Sequence, residues 1–400
     1  MKSSIFFLAT MLLLLCSSCI KEHALQTSSD YDCISTITNT HPKSEEFDAF
    51  ISAKIAEGIP GMMMLIESPD GIWAGAAGMA DIPNQIPMQP CNLSRIGSVT
   101  KTFTATLILR LQTEGLLNIT DKISDYLPAE IIAQIANGTE ATIENLLNHT
   151  SGIPDYTEVI SYSVDFLNSP TWLRTDEGDL QYIYGEPAEF APDAQRKYSN
   201  TNFILLGLLA EAVAGKSGRE LYQEYIFQPL GLNNTYFNQL TPNFHPKGLV
   251  RGYSNEENKE VIIDRTDFTF GHTSMTGGII SNLEDLRTYI QAIFINQSFF
   301  SEEVTQQLTT VKPVSGEDHT VSNKAYSLRS NGVGLGWFNL TTPYGTAYGH
   351  GGALRGYKSF IAYFPDTQTT ICYLINGHDG FIDDLDDKMR GNELIPLIYE

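Results

Sequence analysis

Cysteine, basic residues and long apolar runs are all scarce in this chain of 400 residues. Apart from Cys16 and Cys19 at the end of the amino-terminal apolar run, its five cysteines include no Cys-x-x-Cys pair, which argues against a structural zinc site. Only 25 lysines and arginines face 47 aspartates and glutamates. The resulting net charge of -22, with no basic cluster to offset it, argues against a nucleic-acid partner.

Several common catalytic and nucleotide-binding motifs are also missing. The chain contains no Gly-x-Ser-x-Gly and no His-Glu-x-x-His sequence. Gly215-Lys216-Ser217 lacks the earlier glycine of a phosphate-binding loop, since position 210 is alanine. Nothing repeats at a fixed period, so a solenoid or propeller is not expected.

The amino terminus carries a short apolar run. Met1-Lys2 followed by residues 5–15 is typical of a secretory signal, because roughly 20 apolar residues are needed to span a bilayer. The most apolar later segment, 203–215, is also too short and contains Glu211. We therefore expect residues 1–18 to be a signal peptide and no later segment to cross a membrane.

The signal ends in small residues before a cysteine, Ser17-Ser18-Cys19, and this resembles the lipobox of bacterial lipoproteins. The resemblance implies cleavage before Cys19, lipidation of Cys19, and a polar tether over residues 19–42. The mature protein would then be exported and held on a membrane by its lipid anchor. Ordinary signal cleavage, leaving a soluble secreted protein, is the alternative. Export would permit one disulfide among the remaining cysteines, which are Cys33, Cys91 and Cys372.

Residues 43–400 are enough for one large domain or two smaller ones, and we expect one. The apolar runs 61–68 and 71–81, separated by Pro69-Asp70-Gly71, predict a β-hairpin. The pattern from about 116 to 270 is mostly helical. Strands are predicted again near the carboxyl end, at 333–340, 345–352, 357–366 and 367–378. Strands at both ends predict one sheet built from distant parts of the chain, with the helical region inserted.

A helix is predicted over residues 97–112, GSVTKTFTATLILRLQ. Ser98 and Lys101 share one face of it with Ala105 and Ile108, and a lysine is costly to bury on such a face. Burial would make the neutral amine accessible, so that Lys101 could accept the proton of the Ser98 hydroxyl. Ser-x-x-Lys alone is a weak motif, and it also occurs by chance in the signal region.

A second element, KYSN, places Tyr198 and Asn200 two residues apart in a predicted extended turn. There a phenol could relay a proton and an amide could hold a substrate carbonyl. Another Tyr-Ser-Asn begins at Tyr253, where the acidic residues that follow predict a solvated loop, so Tyr198 is favoured. His149 and His272 are expected to be structural loop residues.

A third element is the sequence YGHGGALRGY. His350 ends a predicted strand, and Gly351-Gly352 would let another backbone come close. A backbone N–H at this point could stabilise an oxyanion. A plain hairpin turn is the alternative.

In this order, the three elements resemble the serine hydrolases of the penicillin-binding protein and class C β-lactamase family. The resemblance extends to LLNHTSGIPDY at 146–156, to 187–200 and to TGGIISNLEDL at 276–286. It implies an α+β fold of the β-lactamase/transpeptidase type. In that fold an antiparallel sheet is flanked by helices, an all-helical region is inserted, and the site lies between them.

The resemblance also implies roles. Ser98 would be the acylated nucleophile, Lys101 its proton acceptor, and Tyr198 the group that carries the proton towards the leaving group. The substrate would be oriented by Asn200, His350 and Gly352, and the N–H groups of Ser98 and Ala353 would form the oxyanion hole. This mechanism requires no metal and no cofactor.

One departure from the family concerns Gly351, which lacks the hydroxyl that helps β-lactam-recognising members hold the substrate carboxylate. Arg355 could supply that contact, although an exposed loop arginine is the alternative. We therefore expect a D,D-carboxypeptidase-like hydrolase that cleaves a D-amino-acid peptide, amide or ester, for example one derived from peptidoglycan. A carboxylesterase, a β-lactamase and a non-catalytic penicillin-binding-like sensor remain the alternatives.

Overall fold

An eight-stranded antiparallel sheet is the largest element of the chain. The computed structural model describes residues 35–237, 244–255, 261–268, 274–296, 299–319, 329–378 and 389–400. The predicted signal peptide, Cys19, Cys33 and His272 lie outside these residues. The strands are β1 (Gly61–Ser68), β2 (Gly71–Asp81), β3 (Ile86–Pro87), β4 (Ser94–Arg95), β5 (Tyr236–Phe237), β6 (Tyr253–Ser254), β7 (Ile263–Asp264), β8 (Ile279–Ser281), β9 (Arg329–Val333), β10 (Phe338–Thr342), β11 (Gly345–Leu354), β12 (Tyr357–Phe364) and β13 (Thr369–Ile375).

The helices of the described residues lie before, between and after these strands. They are α1 (Ser44–Ala56), α2 (Thr100–Thr113), α3 (Ala129–Ile132), α4 (Ile143–Leu147), α5 (Ile160–Asn168), α6 (Asp176–Leu180), α7 (Asn200–Ala214), α8 (Gly218–Tyr222), α9 (Gln228–Leu230), α10 (Leu283–Phe294), α11 (Glu302–Thr309) and α12 (Ile395–Tyr399). Shorter 3₁₀ and π turns join several of them, of which Gly97–Val99 and Tyr156–Glu158 matter for the site.

The strand order of the large sheet is β3-β2-β1-β13-β12-β11-β10-β9. β1 and β2 form the predicted hairpin, whose register ends at Ser68 opposite Gly71. The other edge of β1 pairs with β13, from Met62 opposite Ile375 to Glu67 opposite Thr370. The prediction of one sheet built from distant parts of the chain is therefore confirmed. Two small sheets, β4-β8-β5 and β6-β7, lie beside it.

Alternate strand residues point to opposite faces of the large sheet, and both faces carry buried apolar residues. Helices cover both of these faces. Met62 and Met64 of β1 pack in a cluster with Phe47 of α1 and Ile395 near the carboxyl end. Met63 and its neighbours on the other face join the main core, which includes α2 and α10. An antiparallel sheet with helices on both faces confirms the predicted α+β class.

Helix α2 is buried on nearly every side, whereas the sequence predicted a single apolar stripe. Eleven of its residues are buried, among them four threonines. Their hydroxyls have partners: Thr104 Oγ1 donates to the carbonyl of Met275 at 2.7 Å, and Thr106 Oγ1 lies 2.8 Å from Tyr289 Oη. Because these polar atoms are hydrogen-bonded, α2 can cross the core with few apolar residues on its second face.

The predicted strand 333–340 is wrong in one respect. β9 ends at Val333 and β10 begins at Phe338, and a turn lies between them. Gly336 in this turn has φ +73°, and a Cβ built there would lie 3.0 Å from the carbonyl oxygen of Lys101. A left-handed backbone in close contact with α2 requires glycine, and it breaks the apolar run into two strands.

The predicted helical region, about 116–270, holds α3 to α9 and also three short strands, β5, β6 and β7. Among the described residues, no helix has the length and apolar character needed to cross a bilayer. Cys91 is disulfide-bonded, and Cys372 on β13 is a buried free thiol.

Candidate active site

Ser98 lies in a single 3₁₀ turn, Gly97–Val99, that leads into α2. Gly97 has φ +50°, and a Cβ built on it would lie 2.8 Å from the backbone nitrogen of Ala353. Strand β11 therefore passes directly beside the residue that precedes Ser98. Ile96, the residue before Gly97, is held by β8, since its N–H donates to the carbonyl of Ile279 at 3.0 Å.

Lys101 lies in the first turn of α2 and is 1% exposed. Its Nζ is 3.1 Å from Ser98 Oγ and donates to the carbonyl of Thr276 at 2.8 Å. Burial lowers the pKa of Lys101 to about 7, while the negative charge of Asp155 acts in the opposite direction. A substantial fraction of Lys101 is therefore a neutral amine at neutral pH, within reach of the serine proton.

Tyr198 covers the lysine. Nζ of Lys101 is 5.1 Å from the centroid of the Tyr198 ring and 5.6 Å from that of Phe203. Burial raises the pKa of Tyr198, and a hydrogen bond with Ser98 acts in the opposite direction. The phenol therefore stays protonated at neutral pH, next to both the serine and its base. The structure thus brings Ser98, Lys101 and Tyr198 together.

His149 supports the Tyr198 ring from behind. The two ring centroids are 4.4 Å apart, and the Nδ1 atom of His149 accepts the N–H of Ser199 at 3.2 Å. His149 is 1% exposed. Burial lowers its pKa well below the ordinary value, and the charges of Lys101, His350 and Arg196 act in the same direction. His149 is therefore neutral, and its contacts are those of a structural residue.

The His-Gly-Gly sequence lies within strand β11 and is not a hairpin turn. The His350 side chain is buried, with its ring 5.0 Å from Phe338 and 6.3 Å from Tyr198 between centroids. A Cβ built on Gly352 would lie 2.0 Å from the carbonyl oxygen of Ile96 and 2.3 Å from Ser359 Oγ. Only glycine lets β11 approach the serine turn this closely, which leaves Ala353 beside Gly97.

Asn200 begins α7, and its side chain is held by a neighbour that sequence reasoning missed. Its Nδ2 donates to Asp155 Oδ2 at 2.9 Å, and its backbone N–H donates to the same oxygen at 3.0 Å. Asp155 lies inside the SGIPDY segment, 151–156, which is part of the family resemblance. That membership was the available signal that Asp155 belongs near the site. The Thr276 carbonyl was missed because a backbone acceptor has no signature in the sequence.

Arg355 lies in the two-residue turn between β11 and β12 and is half-buried. Its guanidinium carbon is 6.0 Å from the centroid of the Phe166 ring on α5. The structure therefore places this cation at the end of the strand that carries His350.

Tyr253 corrects a prediction. The sequence predicted a solvated loop, yet Tyr253 is 2% exposed on β6. Its hydroxyl accepts the N–H of Ile82 at 2.8 Å, and its own N–H donates to Asn376 O at 3.0 Å. The second Tyr-Ser-Asn is thus a buried structural element, because β6 docks beside the large sheet before the charged residues begin.

A family model described as Beta-lactamase matches residues 47–393. The chain belongs to this beta-lactamase family. It is 26% identical over 326 residues to penicillin-binding protein 4* of Bacillus subtilis, covering 79% of this chain and 68% of that protein. The chain therefore spans about two thirds of the length of this curated relative. The family comprises serine hydrolases, which confirms the resemblance found in the sequence.

Solved structures of the beta-lactamase fold are similar to the chain. A D-stereospecific amidohydrolase from Streptomyces is 25% identical with a TM-score of 0.74, covering 87% of this chain and 98% of the other. A penicillin-binding protein homologue from Pyrococcus abyssi is 26% identical with a TM-score of 0.70, covering 83% and 73%. These similarities support a hydrolase of this fold.

Proposed function

We propose that the chain is an exported serine hydrolase that forms an acyl-enzyme on Ser98. Its substrate would be a D-amino-acid peptide, amide or ester, such as a peptide derived from peptidoglycan, cleaved in the manner of a D,D-carboxypeptidase. One observation carries the proposal: the nearly fully buried Nζ of Lys101 is 3.1 Å from Ser98 Oγ. A base at this distance, with a pKa of about 7, is what a serine nucleophile needs.

In the first step, neutral Lys101 takes the Ser98 proton while Oγ attacks the substrate carbonyl. The negative oxygen that forms is stabilised by the N–H groups of Ser98 and Ala353, and the N-terminal end of α2 favours the same charge. Tyr198 then passes its proton to the leaving nitrogen or oxygen and takes in its place the proton that Lys101 received from Ser98. The leaving group departs, and the acyl group stays on Ser98. Water completes hydrolysis in a second step and frees the serine.

The remaining residues of the site would orient the substrate. Asn200 lies at the start of α7, two residues after Tyr198, and His350 lies on β11 with its ring centroid 6.3 Å from that of Tyr198. Arg355, at the far end of β11, would provide the positive charge for a substrate carboxylate. Since Gly351 carries no hydroxyl, we propose that efficient β-lactam hydrolysis is not the main activity. The similarity to a D-stereospecific amidohydrolase supports a D-amino-acid substrate.

A panel of matched D and L substrates tests this proposal. We expect D-amino-acid amides and D-Ala-D-Ala peptides to be cleaved with a kcat/KM on the order of 100-fold above their L counterparts, as a chirally shaped pocket allows. Nitrocefin should be a poor substrate. Turnover of p-nitrophenyl esters alone would overturn the peptidase assignment in favour of a carboxylesterase. Failure of every compound to acylate Ser98 would favour a non-catalytic sensor.

We also propose that the mature chain begins at a lipidated Cys19 on an exported membrane surface. The short apolar run 5–15 and the small residues before Cys19 support this. The disulfide at Cys91 supports export, because disulfides persist in oxidising compartments.

Cys19→Ala should block the lipid-dependent processing of the amino terminus. The native protein should pellet with membranes, since two or more acyl chains hold a protein stably whereas one does not. The variant should appear as an uncleaved precursor or as a soluble product of ordinary signal cleavage. Cys16→Ala is the matched control, and it should still be processed at Cys19. Mass spectrometry of the native amino terminus decides the question, because an unmodified terminal residue other than Cys19 would rule out the lipoprotein.

A further inference from the structure

Asp155 is a buried carboxylate whose oxygens bind two different segments of the chain. It is 6% exposed, so its charge would be costly without hydrogen bonds. Its Oδ1 accepts the N–H and the Oγ1 hydroxyl of Thr157, both at 2.9 Å. Its Oδ2 accepts the backbone N–H of Asn200 at 3.0 Å and the side-chain Nδ2 at 2.9 Å. Asp155 therefore joins the Tyr156–Glu158 turn to the start of α7.

The start of α7 depends on this carboxylate for its cap. Ser199 occupies the N-cap position, and its side chain makes no capping hydrogen bond. Asp155, 45 residues earlier in the chain, accepts the first N–H of the helix instead. A negative charge is favourable at this end of a helix. Thr201 reinforces the junction, since its hydroxyl donates to Pro154 O at 2.7 Å. These bonds fix the backbone two residues after Tyr198.

Asp155 also provides the negative charge that acts on Lys101. Among the described residues, His149, which is neutral, and Tyr198, which is protonated, also lie near Lys101, and the ring of His350 lies beside that of Tyr198. Asp155 raises the pKa of Lys101 against the larger effect of burial. Burial raises the pKa of Asp155 itself, while its hydrogen bonds and the charge of Lys101 act in the opposite direction. The two groups are thus electrostatically coupled.

We infer that Asp155 is a positioning residue for the reaction at Ser98. It locks the segment that carries Tyr198 and Asn200 onto the Tyr156–Glu158 turn, and its negative charge acts on Lys101. This inference rests on the proposed function, because it assigns to Asp155 an effect on Ser98 acylation. Asp155 acts through Lys101 and Asn200 and not by contact with the reacting atoms.

The test measures the second-order rate at which a fluorophosphonate phosphonylates Ser98, with release of fluoride, at pH values from well below to well above 7. Intact-mass spectrometry follows the adduct, and thermal unfolding of each variant is recorded in parallel. Asp155→Asn keeps the volume and removes the charge. Thr157→Val keeps the charge and removes one bond that orients it. Asp165→Asn is the matched control, because the carboxylate of Asp165 on α5 accepts a hydrogen bond from the Tyr182 hydroxyl and, among the described residues, makes no contact with Lys101.

In the wild-type protein the rate should fall as the pH drops through about 7, where Lys101 gains its proton. Without the charge of Asp155, Lys101 should lose basicity, so in Asp155→Asn this fall should move to lower pH by about one unit. A less basic Lys101 and a loosened Asn200 should also lower the plateau rate about 10-fold or more. Thr157→Val should lower the plateau while leaving the midpoint in place.

Asp155→Asn that unfolds like the wild type and retains its midpoint and plateau would overturn the inference. So would an equal loss in Asp165→Asn, since that result would reflect a general effect of removing a carboxylate. If Asp155→Asn fails to fold, Thr157→Val with a wild-type plateau is the contradicting result. If the fluorophosphonate did not react with Ser98 in the wild-type protein, the failure would be a different one, because that result would remove the proposed function itself.

Discussion

Ser98→Ala should lower kcat by a factor on the order of 10³ or more, since the proposed acyl-enzyme forms on the Ser98 hydroxyl. The loss follows from the geometry. The neutral Lys101 amine lies within hydrogen-bond distance of the Ser98 hydroxyl, and removing that hydroxyl leaves the base without a nucleophile to activate. Fold and substrate binding should be nearly unchanged, because alanine fits wherever serine fits. The measurement is kcat on the best substrate of the D and L panel.

Ser151→Ala is the matched control for this experiment. Ser151 is 1% exposed, and its hydroxyl donates to Asn202 Oδ1 at 2.7 Å, so it serves the fold. Its loss should cost stability, about 1 kcal/mol for one hydrogen bond, and leave turnover by the folded protein intact. If Ser98→Ala kept wild-type turnover, the assignment of the nucleophile would be wrong, and Ser151 would be the next serine to test.

Tyr198→Phe should slow turnover by roughly 10²–10⁴-fold, the usual contribution of a general acid–base group. Phenylalanine keeps the ring that packs against His149 and covers Lys101, and it removes only the hydroxyl. The effect should therefore appear in kcat, with little change in the free energy of unfolding. Steady-state kinetics and thermal unfolding of the same preparation separate the two quantities.

Tyr253→Phe is the matched control for Tyr198→Phe. The Tyr253 hydroxyl accepts a hydrogen bond from the Ile82 N–H, so the variant should unfold more easily by about 1 kcal/mol. Its turnover per folded molecule should stay near the wild-type value. Equal kinetic losses at the two tyrosines, or a larger loss at Tyr253, would show that the wrong tyrosine was placed in the site.

The sheet and the Ser98–Lys101 pair were predictable because local patterns determine both. Apolar runs on either side of Pro69-Asp70-Gly71 specify the β1–β2 hairpin, and a spacing of three residues brings two side chains together on a helix. A lysine on an apolar face predicts its own burial. These features need no knowledge of distant contacts.

The rest of the site depends on contacts that sequence patterns do not encode. Asp155 meets Asn200 only after a loop and a helical region have folded back. Lys101 is held by a backbone carbonyl, at Thr276, which any residue type could supply. The charged residues that follow Tyr253 predicted a solvated loop, yet the docking of β6 buries Tyr253. The turn at Gly336 likewise follows from its contact with α2.

Mass spectrometry of the acyl-enzyme tests the assignment of Ser98 most directly. The protein is mixed with an excess of a D-amino-acid ester, quenched in acid during turnover, digested and mapped. We expect one substrate-derived acyl group, on the peptide that contains Ser98, and no such adduct in Ser98→Ala. An acyl group on any other residue, or unchanged turnover in Ser98→Ala, would contradict a mechanism in which Lys101 activates Ser98.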